Sequence, residues 1–337
     1  MKRIQMAIVA IAFGVFVITT GTVFAQGGVP VGFPPQTNLY EDAVLLARML
    51  PVVAALGIGF GVWQAKASLR QPKSSPKSPY VIRHDVGTIV SHWVNGIGMI
   101  IGMITGLMIL RWLPRPDAMR LLFAIHYVGA GMVLFGVVTH LTQNGITGGL
   151  GLLPRSFKDL RDGLAEMVEY TGIFGPQRAV FGIKLPKVIR ESLGETFSAF
   201  GLRPTKKLGK FLPVEKIFSY TPWAIIITVI VITGLIKSLR YLYPIPPDFV
   251  QQVTTLHDIF GYAAVAMLGI HLAAILLVPR NWPLLIAMLT TRISRKTVQD
   301  WHPLWYNELV AQEQSTGAVS PTPIAQVGSK AVEEMKA

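Results

Sequence analysis

One apolar run, Thr254–Val278, constrains the fold more than any other stretch, because it is long enough to cross a bilayer and carries His257 and His271. Fourteen residues separate the two histidines, which is almost four helical turns, so both side chains leave the same face of a helix. At 1.5 Å per residue they lie roughly 21 Å apart along the helix axis. That separation suits two metal centres, one near each membrane surface.

The composition places most of the chain in a membrane. Of its 337 residues, 51% are hydrophobic and only 15% are charged, whereas a soluble domain carries about 25% charged residues. The net charge of +13 lies between the apolar runs, which is typical of a positive-inside signal and does not indicate nucleic-acid binding. The chain has no cysteine, which excludes disulfides, cysteine-ligated iron–sulfur clusters and covalently attached c-type haem. Any redox cofactor must therefore be held by histidine or methionine.

The apolar runs divide the chain into a membrane domain and flanking segments. Residues 1–25 are expected to be a signal peptide or a first transmembrane helix, and 311–337 a disordered tail. Residues 26–85 are expected to contain an external segment, an additional transmembrane helix and a flexible basic linker. The main domain, 86–310, is predicted to contain four helices and a cytoplasmic loop. The predicted positions are about 43–65 for the additional helix, 86–110, 119–142, 217–239 and 254–278 for the four helices, and 143–216 for the loop.

The charges of the loops orient these helices. The loop at 143–216 carries twelve Lys and Arg against seven Asp and Glu, and the linker at 66–85 is also basic. Both are expected on the cytoplasmic side, and the short turns at 111–118 and 240–253 outside. Within the long loop, residues 156–170 have apolar positions at helical spacing and are predicted to form an amphipathic helix. We therefore expect a multi-pass protein of the cytoplasmic (inner) membrane.

Five histidines in the predicted helices fall at two depths. His126 and His257 lie near the outer surface, whereas His92, His140 and His271 lie near the inner surface. Imidazoles are costly in hydrocarbon, so matched levels on different helices indicate shared ligands. Two b-type haems with two axial histidines each would use four of the five, and depth alone leaves His92 and His140 as alternatives. A bis-histidine iron has no open coordination position, which favours electron transfer. The two remaining histidines, in polar flanks, are not expected to be ligands.

Several motifs accompany these histidines. His92-Trp93, Thr105-Gly106 and Thr233-Gly234 recur in the helices, and the longer motifs are VEKIFSYTPW (214–223), LHDIFGYAAVAMLGIH (256–271), RISRK (292–296) and HPLWY (302–306). With these motifs the chain resembles the cytochrome b (gamma) subunit of respiratory formate dehydrogenases, part of a wider group that also anchors hydrogenases. The resemblance covers about residues 83–142 and 205–310.

The resemblance implies an all-α integral membrane bundle, with a four-helix dihaem cytochrome b core and one or two additional N-terminal transmembrane helices. It implies that His126 and His257 ligate the iron of an outer haem b, and His92 and His271 that of an inner haem b. His140 stays an alternative ligand. The implied partners are an external iron–sulfur subunit, the catalytic subunit of the same complex and a membrane quinone, either menaquinone or ubiquinone. No catalytic residue is expected on this chain, and whether it counts as an enzyme is left open.

The expected quinone site lies beside the inner haem, near Lys210–Lys216. Members of the family often have Asn and Gln in this stretch, whereas this chain has Leu212 and Glu215. Glu215 is the candidate quinone-site residue, since its carboxyl group could deliver a proton. The alternative is an interfacial carboxylate paired with Lys216.

The expected function is a membrane-anchoring dihaem cytochrome b subunit that passes electrons across the membrane to quinone. Two alternatives remain at this point. One is a cytochrome b anchor for a hydrogenase or another molybdenum oxidoreductase. The other is a haem-free anchor in which the histidines conduct protons.

Overall fold

A computed structural model describes residues 37–70, 78–148, 153–154, 156–174, 186–204 and 208–317. The segment expected to be a signal peptide or first transmembrane helix, 1–25, lies outside the described residues. So do residues 318–337, which form most of the predicted disordered tail.

The described residues are almost entirely helical. Their α-helices are α1 (Thr37–Arg70), α2 (Val86–Ile109), α3 (Met119–Thr147), α4 (Phe157–Tyr170), α5 (Lys187–Ala199), α6 (Thr221–Leu239), α7 (Pro247–Leu276), α8 (Trp282–Thr290), α9 (Arg295–Trp301) and α10 (Pro303–Gly317). A π-helical turn, Glu215–Tyr220, leads directly into α6, and a 3₁₀ turn, Pro279–Asn281, precedes α8. Two short strands, β1 (Tyr80–Ile82) and β2 (Arg292–Ser294), complete the described structure.

Five of these helices are long and apolar enough to cross a membrane: α1, α2, α3, α6 with its π-helical turn, and α7. Their outward faces carry many exposed leucine, isoleucine and valine side chains, as expected for helices surrounded by lipid. The prediction of an all-α integral membrane bundle is confirmed, and the chain is a multi-pass membrane protein.

The core of the bundle consists of two antiparallel helix pairs. Helices α2 and α3 form one pair and α6 and α7 the other, and contacts within each pair are far more extensive than contacts between the pairs. Helix α1 packs on the outside of α3. Where the pairs meet at mid-height, a cluster of apolar side chains fills the interior: Met99, Met103, Val133, Ile226, Ala264 and Met267. The histidines predicted near the two surfaces therefore lie above and below an apolar layer.

Glycines allow α3 to approach its neighbours closely. A Cβ atom added to Gly129 would lie 2.9 Å from the carbonyl oxygen of Gly98 on α2, and one added to Gly61 on α1 would lie 2.8 Å from the carbonyl oxygen of Thr139. The Thr139 hydroxyl donates to the Gly57 carbonyl of α1 at 3.1 Å. Small residues at such crossings let membrane helices pack through their backbones.

The segments before α2 and after α8 meet at one end of the bundle. We call it the basic end, because Arg83, Lys210, Arg292 and Arg295 lie there. Strands β1 and β2 pair antiparallel with Val81 opposite Ile293. Val81 and Ile293 are buried in a small core with Ala287, Val298 and Trp305. Both ends of the expected flexible linker therefore have regular structure, because residues 66–70 continue helix α1 and residues 80–82 pair with the chain that follows α8.

Several helices have boundaries that differ from those expected. Helix α7 begins at Pro247, because proline is favoured in the first helical turn and Asp248 follows it there. Helix α3 continues to Thr147 and ends at Gly148, whose left-handed backbone closes the helix. Helix α10 extends to Gly317, seven residues into the predicted disordered tail. The amphipathic helix predicted at 156–170 is confirmed as α4, capped by Ser156 and Asp159.

Candidate functional site

His126 is held by a threonine at the end of the bundle opposite the basic end. The Thr105 hydroxyl lies 2.6 Å from the carbonyl oxygen of Ile101, one turn earlier on α2, and 2.8 Å from Nδ1 of His126 on α3. A hydroxyl has one proton, and here it is donated to the carbonyl. We therefore infer that the Nδ1–H of His126 donates to the Thr105 oxygen. This tautomer leaves the Nε2 lone pair of His126 available to a metal.

His257 repeats this arrangement on the second helix pair. The Thr233 hydroxyl donates to the Val229 carbonyl at 2.6 Å and lies 2.9 Å from Nδ1 of His257. A glycine follows each threonine: a Cβ added to Gly106 would lie 3.8 Å from Cε1 of His126, and one added to Gly234 would lie 3.4 Å from Cε1 of His257. Both Thr-Gly doublets thus place the edge of a histidine ring against the neighbouring helix.

His126 and His257, which we call the opposite-end histidines, share one electrostatic environment. His126 and His257 interact with each other, and the Lys237 ammonium acts on both. Lys237 lies one turn beyond Thr233 on α6, and its Nζ is 4.0 Å from an Asp258 oxygen. The two threonine-bound imidazoles therefore lie within electrostatic range of each other and of Lys237.

The basic-end histidines His92 and His271 have aromatic neighbours instead. The His92 ring meets Trp93 edge to face at 5.7 Å between centroids, and the His271 ring meets Trp223 in the same manner at 6.4 Å. His92 and His271 are close enough to interact electrostatically. The Trp93 indole N–H donates to the Met288 carbonyl of α8 at 2.9 Å, which fixes the His92 turn of α2 against the basic end.

His140 lies among polar side chains. Its Nε2 is 3.0 Å from the Tyr220 hydroxyl, and the Asn144 amide nitrogen lies 3.0–3.1 Å from both ring nitrogens. Tyr220 ends the π-helical turn before α6. The nitrogen that would have to face a metal therefore has a hydrogen-bond partner already.

Glu215 forms an ion pair with Arg83. The alternative expected from the sequence was a pair with Lys216. The Glu215 carboxylate lies 3.6 Å from the Arg83 guanidinium and accepts from the backbone N–H of Leu212 at 3.0 Å. Arg83 is 3% exposed and lies over the rings of Phe211 and Trp305. Burial lowers the pKa of Arg83, and Glu215 opposes that shift. Glu215 therefore belongs to a structured cluster at the basic end.

The two flanking histidines belong to this cluster. His302 is fully buried, with Nδ1 2.8 Å from the Gly209 carbonyl and Nε2 3.4 Å from the Arg83 guanidinium. The pKa of His84 is lowered to about 3 by burial and by the charges of Arg83 and Lys210. His302 is thus satisfied by protein groups, and His84 lies beside two cations.

The sequence profile of prokaryotic cytochrome b561 matches residues 83–291, well over half of the chain. This chain belongs to the prokaryotic cytochrome b561 family. Membership makes it a membrane cytochrome b that binds haem b and transfers electrons. The matched region contains α2 to α8 and all five membrane histidines, whereas α1, α9 and α10 lie outside it. No curated protein matches the chain.

The side chains of this cytochrome b fit haem. The described residues contain no group of three or more His, Asp or Glu side chains that could hold a metal ion by themselves. A haem iron needs only one or two axial ligands from the protein, since the macrocycle supplies the other four. His126 and His257 leave Nε2 available, and the limited contact between the helix pairs is compatible with a flat macrocycle between them.

The sequence reasoning missed most residues that support the histidines. The Thr-Gly doublets are visible in the sequence only as motifs, and their repetition before His126 and His257 is the signal for a shared role. Arg83 and Tyr220 carried no recognisable local signal, because their partners are distant in sequence. The Arg83–His302 contact, for example, joins residues 219 positions apart. Asn144 lies one helical turn from His140 on α3, so its i,i+4 spacing was a local signal for that contact.

Proposed function

We propose that this cytochrome b561 family member is a dihaem subunit that transfers electrons across the cytoplasmic membrane between an external iron–sulfur subunit and a quinone. The observation that carries the proposal is the pairing of histidines at two levels. His126 interacts with His257 at one end, and His92 interacts with His271 at the other. A bound haem b at each level would carry one electron in the ferrous state.

The proposed ligands are His126 and His257 for the outer haem iron and His92 and His271 for the inner one. His257 and His271 lie 14 residues apart on α7, so this helix supplies one ligand to each site. The hydrogen bond between His140 and Tyr220 supports His92 as the inner ligand. His140 is then a polar neighbour of the inner site.

The proposed quinone site is at the basic end, beside His271. Glu215 begins the π-helical turn that leads to Trp223, the aromatic neighbour of His271. Its side chain is 26% exposed, so water can exchange protons with the carboxyl group. Glu215 is therefore the proposed proton donor to quinone, with Arg83 holding its position.

Proton uptake at this end would conserve energy. Moving an electron inward against a potential that is negative inside costs about 2.3 kcal/mol per 100 mV. Uptake of cytoplasmic protons by the reduced quinone would couple that cost to a redox loop.

The proposed complex is of the formate dehydrogenase type, with the catalytic subunit outside. Its support is the HPLWY motif, whose His302 and Trp305 are buried at the basic end beside Arg83. Copurification of the native complex tests this partner assignment. A formate-oxidising molybdenum or tungsten subunit is expected, and a nickel hydrogenase subunit would contradict the assignment.

The electron-transfer proposal is tested by anaerobic reoxidation. Protein reduced with dithionite and freed of excess reductant is mixed with a short-chain menaquinone or ubiquinone analogue, and the haem absorbance is followed. We expect quinone-dependent reoxidation that slows in Glu215→Gln and stays unchanged in the neighbouring control Lys216→Gln. Reoxidation no faster than without quinone would contradict the proposal.

A further inference from the structure

Hydroxyl partners distinguish the two histidine levels. At the opposite end, both imidazoles contact threonine hydroxyls through Nδ1, at 2.8 and 2.9 Å. At the basic end, His92 and His271 contact tryptophan rings, and the structure gives neither a hydroxyl partner among the described residues. The ligands proposed for the two haems therefore differ in their supporting groups.

Each threonine is held in a fixed orientation by its own helix. The Thr105 hydroxyl is bonded to Ile101 at i−4 and lies 3.2 Å from the Gly102 carbonyl at i−3, and Thr233 makes the same pair of contacts with Val229 and Ile230. The β-branched side chain restricts χ1 further. Because the hydroxyl proton is committed to the helix backbone, the oxygen presents only its lone pair to the histidine.

We propose that Thr105 and Thr233 are positioning residues that hold His126 and His257 in the Nδ1–H tautomer, direct both Nε2 atoms to one haem iron, and set the redox potential of that haem alone. This inference rests on the proposed dihaem function. It goes further by assigning a chemical role to two side chains that contact neither iron nor substrate.

The physical basis is the electron donation of a hydrogen-bonded imidazole. An acceptor on Nδ1–H makes Nε2 a better donor to the metal, and such supporting hydrogen bonds typically change metal affinity by about 10–100-fold. Better donation favours ferric over ferrous iron, so the threonines lower the potential of the outer haem. Loss of one hydroxyl should reduce the ferric preference by up to about tenfold, which corresponds to an upward shift of up to about 59 mV for a one-electron couple.

The test replaces each threonine by valine, which keeps the branched shape and removes the oxygen. Thr105→Val and Thr233→Val are compared with wild type, with the serine variants at both positions, and with Thr139→Val. Thr139 is a matched control because its hydroxyl donates to a helix carbonyl of α1 instead of a histidine. Thr105→Ala and Thr233→Ala replace the valine variants should those not accumulate in the membrane.

The readouts are the midpoint potentials of both haem components in the full chain and the low-spin electron paramagnetic resonance spectrum. We expect each valine variant to raise the potential of the same component, serine to restore it, and Thr139→Val to leave both components unchanged. That component should also be the one lost in His257→Ala. A shift in the other component, equal shifts in both, or no shift would overturn the proposal.

The number of haem components in the wild-type protein distinguishes a failure of the proposed dihaem function from a failure of this inference. Fewer than two haem components in wild type would overturn the dihaem function itself. Two components whose potentials do not respond to the valine substitutions would leave that function standing and overturn the role of the threonines.

Discussion

Replacing Arg83 by methionine should destabilise the basic end by about 2–3 kcal/mol. The guanidinium lies 3.6 Å from the Glu215 carboxylate, and two unit charges at that distance attract by about 4–5 kcal/mol at an effective dielectric constant of 20. Removing one member of a buried pair typically costs about 3–5 kcal/mol. The Glu215 side chain is 26% exposed, so water can solvate part of the charge left behind, which places the expected cost below that range.

Thermal unfolding of the detergent-solubilised protein measures this cost. A loss of about 2–3 kcal/mol corresponds to a decrease of several degrees in Tm. The control is Lys187→Met, which removes a pair with Glu191 whose side chains are 77% and 57% exposed. Such a surface pair should contribute too little to shift Tm measurably.

A double-mutant cycle separates the ion pair from the other contacts of Arg83. If the pair is the main contact, Glu215→Gln should cost less in the Arg83→Met background than in wild type, by about 1–3 kcal/mol. A decrease for Arg83→Met no larger than for Lys187→Met would refute the reasoning. Equal effects of Glu215→Gln in both backgrounds would refute it as well.

Three further predictions concern packing, pH and charge. Gly129→Ala should destabilise the bundle by about 1–3 kcal/mol in thermal unfolding, because the added Cβ would lie 2.9 Å from the carbonyl oxygen of Gly98. The control is Gly131→Ala, whose Cβ would contact only Val53, at 4.0 Å. Burial, with a contribution from the Arg83 charge, lowers the pKa of Lys210 from 10.5 to about 8. The unfolded chain then binds more protons than the folded one between these values, so stability should rise with pH from about 8 to 10.5 in wild type, and this rise should be missing in Lys210→Met. Lys237→Met removes a cation that acts on both opposite-end histidines. A unit charge at about 10 Å contributes about 1–2 kcal/mol, so the midpoint potential of one haem should fall by about 60 mV. An unchanged or higher potential would contradict the placement of a haem beside Lys237.

Much of the bundle could be predicted from the sequence because its determinants are local. Apolar runs bounded by basic loops locate membrane helices, and the 14-residue spacing of His257 and His271 fixes their shared face on any α-helix. The end of α3 at Gly148 could also have been found, since glycine is the usual residue at a left-handed helix terminus.

The basic end could not be predicted in this way, because its contacts join distant parts of the chain. Arg83 meets Glu215 and His302, and β1 pairs with a strand more than 200 residues later. Nothing in the RHD sequence at 83–85 indicates that its arginine is buried, whereas Asp85, directly before α2, is a recognisable N-cap signal. The ordered β1 end of the predicted flexible linker follows from these long-range contacts.

The choice between His92 and His140 as a ligand also depends on contacts between distant residues. Depth places both histidines near one surface, so sequence position alone cannot distinguish a ligand from a neighbour. The distinction proposed here depends on which side chain packs beside each ring. Tyr220 contacts His140, whereas His92 interacts with His271.

Haem content in single-histidine variants is the most direct test of the proposed dihaem ligands. Reduced-minus-oxidised spectra and haem-to-protein ratios would be measured on purified wild type and on alanine variants of His92, His126, His140, His257 and His271. We expect two b-type haems per chain in wild type, one in the four ligand variants and two in His140→Ala. One haem or none in wild type, or loss of a haem in His140→Ala with two retained in His92→Ala, would contradict it.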